Sequence, residues 1–183
     1  MDYKILSQAV SSLYLEMSNE SEAFSKQTGV GCVKTCGGVC CQNPDVMASP
    51  IEMLPLAIKI MEDKKENIYL GKLDSMNVTC TLLSQTQSSG GLCSVYEDRP
   101  VICRLFGFSK NKDKMGKNRI SICKLISAEN KVHLTLEEID SAPSIVNWAE
   151  NVRSLCPELS DLMPINAALK MILEKLVLIK RFS

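Results

Sequence analysis

Residues 28–44, TGVGCVKTCGGVCCQNP, crowd four cysteines and four glycines into a stretch with almost nothing large enough to bury. Ordering a backbone costs roughly 1–2 kcal/mol per residue, while apolar burial returns about 25 cal/mol per Å². A segment of this composition therefore needs another source of order, and its thiols offer two: disulfides or metal. The whole chain, at 183 residues, is long enough to bury a core without covalent staples, and its nine cysteines are an odd number. The opening stretch MDYKILSQAVSSLYLEMSNE has Asp2, no basic n-region and no unbroken apolar run, so it does not read as a signal peptide. No apolar run is long enough to span a bilayer. The expectation is a cytoplasmic protein with reduced thiols, in which a cysteine-dense segment points to metal or redox chemistry. Net charge is formally zero and the lysines and arginines are dispersed, which argues against nucleic acid or an anionic membrane as partner.

Hydrophobic spacing predicts helical ends around an irregular middle. Leu6, Val10, Leu13, Met17 and Phe24 recur at helical steps, and Gly29 offers a stop. The string SPIE at 49–52 reads as a capping box, with Ser49 as N-cap, Pro50 at the first helical position and Glu52 reaching back. The helix it opens should run to about Lys64, with Pro55 forcing a kink or moving the true start toward Leu54. Another helix is expected from Pro143 to Leu155, bearing Trp148. After Pro164, the stripe Ile165, Leu169, Ile172, Leu176 and Ile179 makes a last amphipathic helix, for core packing or for a partner helix.

The middle is different. NVTCTLL and GLCSVY are short β-prone runs separated by SQTQSSGG, which suggests a hairpin with Cys80 on one arm and Cys93 on the other. In EDRPVICRLF, Asp98 is a candidate N-cap and Pro100 a first helical residue, placing Cys103 in a first turn whose amides favour a thiolate. ISICKLI, another β-prone run, presents Cys123. The expected fold is mainly α with a small β-hairpin and irregular cysteine-bearing loops around a metal site. It is a single domain, 1–183, with the metal-binding region at 30–126 and a helical extension at 143–183.

Cys32, Cys36, Cys40, Cys41, Cys80, Cys93, Cys103 and Cys123 lie in loops, hairpin arms or a helix start beside Gly or Pro, the setting of ligands. Glycines at 29, 31, 37 and 38 let the backbone curl around bound sulfur. Cys156, before Pro157, reads as a small buried hydrophobe, and His133 as a surface or partly buried side chain. Disulfides among the eight remain the competing account. Adjacent Cys40 and Cys41 point in divergent directions, which suits a multi-atom cluster or two neighbouring sites. Eight thiols without histidine favour iron-sulfur, most simply a [4Fe-4S] centre, while zinc accepts thiolates at such spacings equally well. Arg99, Arg104, Lys34 and Lys124 are placed to offset the negative charge of a thiolate cluster.

The order C-x3-C-x3-CC, the helix start at Ile51 and Glu52, a further cysteine, and then CSVYEDRPVICRLF resembles the YkgJ-like cysteine-cluster family, over about residues 30 to 126. The most specific piece is Cys93 with Tyr96, Arg99, Pro100, Cys103 and Arg104. The spacings of three depart from the family's CxxCxxCC pattern, and Gly107 stands where proline is frequent. The resemblance implies a zinc- or iron-chelating domain with all eight cysteine positions filled. It reaches to flagellin lysine methylases, which use S-adenosylmethionine. This chain, however, has no glycine-rich strand-turn-helix and no alternating βα pattern for that chemistry. Three roles stay open: an iron-sulfur protein in electron transfer, sensing or maturation; a zinc-stapled interaction module that takes a protein partner through the C-terminal helix; and an iron-sulfur methyltransferase.

Overall fold

The computed structural model describes residues 2–32, 38–75, 79–84, 92–129 and 132–182. In chain order the elements are α1 (Tyr3–Thr28), α2 (Val39–Gln42), β1 (Met47–Ala48), α3 (Pro50–Glu62), α4 (Glu66–Asp74), β2 (Leu83–Ser84), β3 (Leu92–Cys93), α5 (Val101–Arg104), β4 (Phe108–Lys112), β5 (Asn118–Ile122), α6 (Lys124–Glu129), α7 (Leu136–Ser141), α8 (Ile145–Ser154), β6 (Met163–Pro164) and α9 (Ile165–Phe182). Mainly helical architecture with small hairpins and cysteines in loops is what the sequence implies. No described helix is long and apolar enough to cross a membrane.

Helix α1 begins where the Asp2 carboxylate accepts from the Lys4 and Ile5 amides, and it ends at Gly29, whose φ of 72° is natural only to glycine. Its buried face is Ser7, Val10, Tyr14, Met17 and Phe24, turned slightly from the expected stripe so that Leu6 and Leu13 are half-buried. The Tyr14 hydroxyl donates to the Glu52 carbonyl at 2.7 Å, in the turn of α3 just before Pro55. The capping box at α3 forms, with the Glu52 carboxylate accepting from both the amide and the hydroxyl of Ser49, at 2.8 and 2.6 Å. Helix α3 runs unbroken through Pro55, so its start does not move to Leu54. Burial explains this: Ile51, Met53, Leu54, Leu56, Ala57 and Ile60 are all buried, and together they outweigh one lost hydrogen bond.

Helix α3 packs against α9 and α1, with α8 closing the other side, and this bundle holds the main core. Helix α9 spends its stripe here, burying Ile165, Ala168, Leu169, Ile172, Leu173 and Leu176, and leaves Leu178, Ile179 and Phe182 exposed at its end. A smaller core of Phe24, Val30, Phe108, Ile126 and Ala142 sits under the β4–β5 hairpin. Of that five-pair hairpin the sequence signals only the second strand, at the start of ISICKLI; in the first, FGFSKNKDK has little of the alternation that marks a strand. Its strand β4 is tied to α8 through the Lys110 amide on the Pro143 carbonyl at 2.8 Å.

Two small ribbons anchor the cysteine segments to this frame. Strand β1 pairs with β6, antiparallel, joining the exit of the glycine-rich loop to the start of α9. Strand β2 pairs with β3, placing Leu83 opposite Cys93. This hairpin is shorter than expected, because Cys80 lies in the turn before β2, its carbonyl accepting from the Leu83 amide at 3.0 Å.

Candidate metal centre

Gly38 starts α2 with φ 72° and ψ 36°, a conformation that costs glycine nothing and other residues dearly. Cys40 and Cys41 follow on consecutive helical positions, so their side chains leave the axis about 100° apart. Cys41 is buried against the main core, and Cys40 is half-buried. The Cys41 thiol is in hydrogen-bonding contact with the thiols of Cys40, Cys80 and Cys93.

Backbone bonds hold that group together. The Cys80 amide donates to the Cys41 carbonyl at 3.0 Å. Ser94 ties its amide and its hydroxyl to the Leu82 carbonyl, both at 2.8 Å, fixing the turn after Cys93. From α9, Asn166 clamps both sides of Cys80: its Oδ1 accepts from the Thr81 amide, and its Nδ2 donates to the Thr79 carbonyl, each at 2.9 Å. Asn166 carried no signal in the sequence, since its partners are 85 and 87 residues away.

A second gathering surrounds a narrow apolar cavity of about 20 Å³, whose wall includes Cys32, Cys40, Cys103, Cys123, Arg99 and Gly107. Gly107 lies beside Cys32: a Cβ there would stand 3.4 Å from the Cys32 Cβ and 3.4 Å from Ile126 Cδ1, in ordinary van der Waals contact. Its carbonyl accepts from the Cys123 amide at 2.7 Å, which places Cys123 across from Cys32. Cys36 and Lys34 lie outside the described residues.

Arg99 serves both groups. Its Nε donates to the Tyr96 carbonyl at 2.8 Å and its guanidinium stacks 3.4 Å from the centre of the Tyr96 ring. From there its charge acts on the sulfurs of Cys40, Cys93 and Cys103. The Tyr96 side chain also contacts Cys32. Arg104, expected beside the thiols, is committed elsewhere. It donates to the Arg99 carbonyl at 2.8 Å, to Ser18 Oγ at 3.1 Å and to the Glu97 carbonyl, and it lies over the Tyr14 ring at 4.4 Å. It fastens the 97–99 turn to α1. Lys124 and His133 are both exposed.

The electrostatics follow from one proton with several takers. The hydrogen bond from Cys41 holds Cys40 down to about 6, with Arg99 assisting against the cost of burial. The same donor holds Cys93 down to about 7 and lowers Cys80. Cys41, as donor to these sulfurs, is pushed strongly up. Cys103 is pushed up as well, chiefly by burial and then by neighbouring thiolates. This corrects the expectation that helix amides would favour its thiolate: the helix is a single turn, and the Cys103 amide is spent on the Pro100 carbonyl at 3.0 Å. Pro100 is itself the N-cap, and Asp98 ends a 3-10 turn and pairs with Lys59 at 2.8 Å.

No disulfide joins the described cysteines. Cys156 is 1% exposed and packs into the main core ahead of the turn that Pro157 begins, lining neither the thiol cavity nor the hairpin group. Among the described residues, no three His, Cys, Asp or Glu side chains stand ready-made around a point that could hold a metal ion. The donor chemistry fits a thiophilic metal, because cysteines from four separated segments line one cavity and a cation stands beside them.

A family described as "CxxCxxCC: Putative zinc- or iron-chelating domain" matches residues 31–125, just over half of the chain. No curated protein and no solved structure matches it.

Proposed function

We propose, from the premise that this chain belongs to the CxxCxxCC family of zinc- or iron-chelating domains, that it holds an iron-sulfur centre of the [4Fe-4S] type on its cysteines. The observation that carries this reading is the cavity lined by four cysteines, Cys32, Cys40, Cys103 and Cys123, with Arg99 beside them. Four thiolates are the protein ligands such a centre takes. When bound, it supplies reversible one-electron chemistry, which suits electron transfer, sensing or a maturation role in the cytoplasm.

The residues on hand do three things toward that end. Arg99 offsets negative charge as thiols become thiolates. Phe106, Leu125 and Ile126 in the same wall keep water out. Gly107, through its carbonyl, holds the amide of Cys123 at the wall. One observation favours zinc as a second reading: a cavity of about 20 Å³ has room for an ion and not for a four-iron core without rearrangement. Four thiolates form a closed zinc site of the structural kind.

Purification under anaerobic conditions with iron supplied, followed by iron, zinc and acid-labile sulfide analysis, tests the proposal. The expected protein is brown, contains sulfide, and bleaches with dithionite or air. A colourless protein with stoichiometric zinc and no sulfide selects the second reading.

A further inference from the structure

Helix α9 extends past the core it serves. Its buried stripe ends at Leu176, yet the helix continues to Phe182, with Leu178, Ile179 and Phe182 exposed, Phe182 to 84%. This end is held in place, because Lys180 Nζ pairs with Glu66 in the first turn of α4 at 3.1 Å. Beside it lies a groove of about 750 Å³ between the start of α1, the end of α3 and the last turns of α9, lined on its apolar side by Tyr3, Ile58, Met61, Leu176 and Ile179. Phe182 follows Ile179 by three residues, on the same side of the helix. An exposed ring therefore leads out from the lip of an apolar groove that it does not itself line.

We propose that two copies of this chain pair through this face about a twofold axis, each seating its Phe182 ring in the groove of the other. Charge selects the occupant. The groove carries both signs at its rim, Lys4 from α1 and Glu62 from α3, both exposed, and neither takes part in an ion pair among the described residues. Arg181, next to Phe182, is likewise exposed and in no such pair. An anionic lipid surface would meet repulsion from Asp2 and Glu62, and a partner of one sign would leave the other sign unmatched. A second copy supplies both. Arg181 enters beside Phe182 to meet Glu62, and the twofold axis makes the same pair twice, as a self-complementary interface requires. The formal net charge of zero sets no long-range repulsion between copies.

An apolar anchor surrounded by charged groups is the anatomy of a stable interface. The order already present at the end of α9 lowers the entropic cost of docking. No cysteine lines this groove, so pairing does not depend on which metal the protein holds.

Sedimentation velocity of the full, metal-loaded chain, kept reduced and without oxygen so that no intermolecular disulfide is counted, reads monomer against dimer as concentration rises. The expected result is a reversible dimer. Phe182→Asp should weaken it by more than about tenfold. Glu62→Arg and Arg181→Glu should each weaken it, and the double variant should restore it, because each copy then offers the exchanged pair. All three positions are exposed, so the fold should tolerate the changes. A chain that stays monomeric overturns the proposal, and flotation of that monomer with phosphatidylserine vesicles, or its saturable binding of dodecanoate, would assign the groove to lipid instead. A dimer indifferent to Phe182→Asp also overturns it, as does a double variant that pairs no more tightly than the weaker single one.

Discussion

Cys41 and Cys80 are joined twice, once through their thiols and once through the backbone, where the Cys80 amide donates to the Cys41 carbonyl at 3.0 Å. The two segments cross at this point, 39 residues apart in sequence, and the Asn166 side chain fastens the second of them to α9. Asn166→Ala should remove two hydrogen bonds to the backbone around Cys80, one half-buried and one exposed, costing about 1–2 kcal/mol. Metal affinity should fall while the cysteines remain intact. Competition with a chromophoric chelator measures this, and unchanged affinity would show that Cys80 does not depend on the clamp.

In metal-free protein, Cys40 and Cys93, held down to about 6 and about 7, share the one Cys41 proton, so this thiol group should carry thiolate character at neutral pH. Alkylation mapped by mass spectrometry across pH 5–9 is expected to label these two first, with Cys41 and Cys103 last. Their folded values lie below the ordinary thiol value of 9.0, so between about 6 and 9 the unfolded chain binds more protons than the folded one. The stability of the metal-free fold should therefore rise with pH across that window and be lost as pH falls through it.

Arg99 and Arg104 are five residues apart and should behave differently. Arg99→Leu removes the cation that acts on Cys40, Cys93 and Cys103, so metal should be lost more readily and the metal-free thiols should titrate higher. Arg104→Ala should lower stability by about 1.5–3 kcal/mol through its bonds to Ser18, Glu97 and Arg99, with metal content per folded chain retained. Denaturant melts paired with metal analysis separate the two effects.

Cys103→Ser should strip metal from the four-thiol cavity. Cys156→Ser should cost about 1–3 kcal/mol, through a polar group placed in the main core, and leave metal content unchanged. Equal metal loss in the two variants would remove Cys103 from the ligand set.

Metal removal should be felt locally. Hydrogen exchange on chelated protein is expected to speed up at 38–42, 79–84 and 92–95, where order comes from single turns and a two-pair ribbon. Helices α1, α3 and α9, joined through the main core, should keep their protection. Uniform protection with and without metal would show that the thiols are not what orders the cysteine segments.

The α1 stop at Gly29, the Ser49–Glu52 capping box and the apolar stripe of α9 were legible in the sequence because each is local: cap chemistry and a 3.6-residue period are complete within a few turns. Membership of a metal-chelating family was legible for a similar reason, as the cysteine-rich, glycine-rich segments limit the chemistry. Which thiol faces which was not legible. Cys40 and Cys41 are neighbours in the chain, and only the docking of α2 against the core separates their surroundings. Likewise, Arg104 turns from the sulfurs to Ser18 and Tyr14 because α1 lies there, and Cys103 is raised because packing buries it. Pro55 sits inside an unbroken helix because α9 and α1 bury its neighbours. Desolvation, charge proximity and side-chain clamps depend on segments that meet only after folding. The sequence by itself determined the donor chemistry, and the tertiary structure alone decided its grouping and its electrostatics.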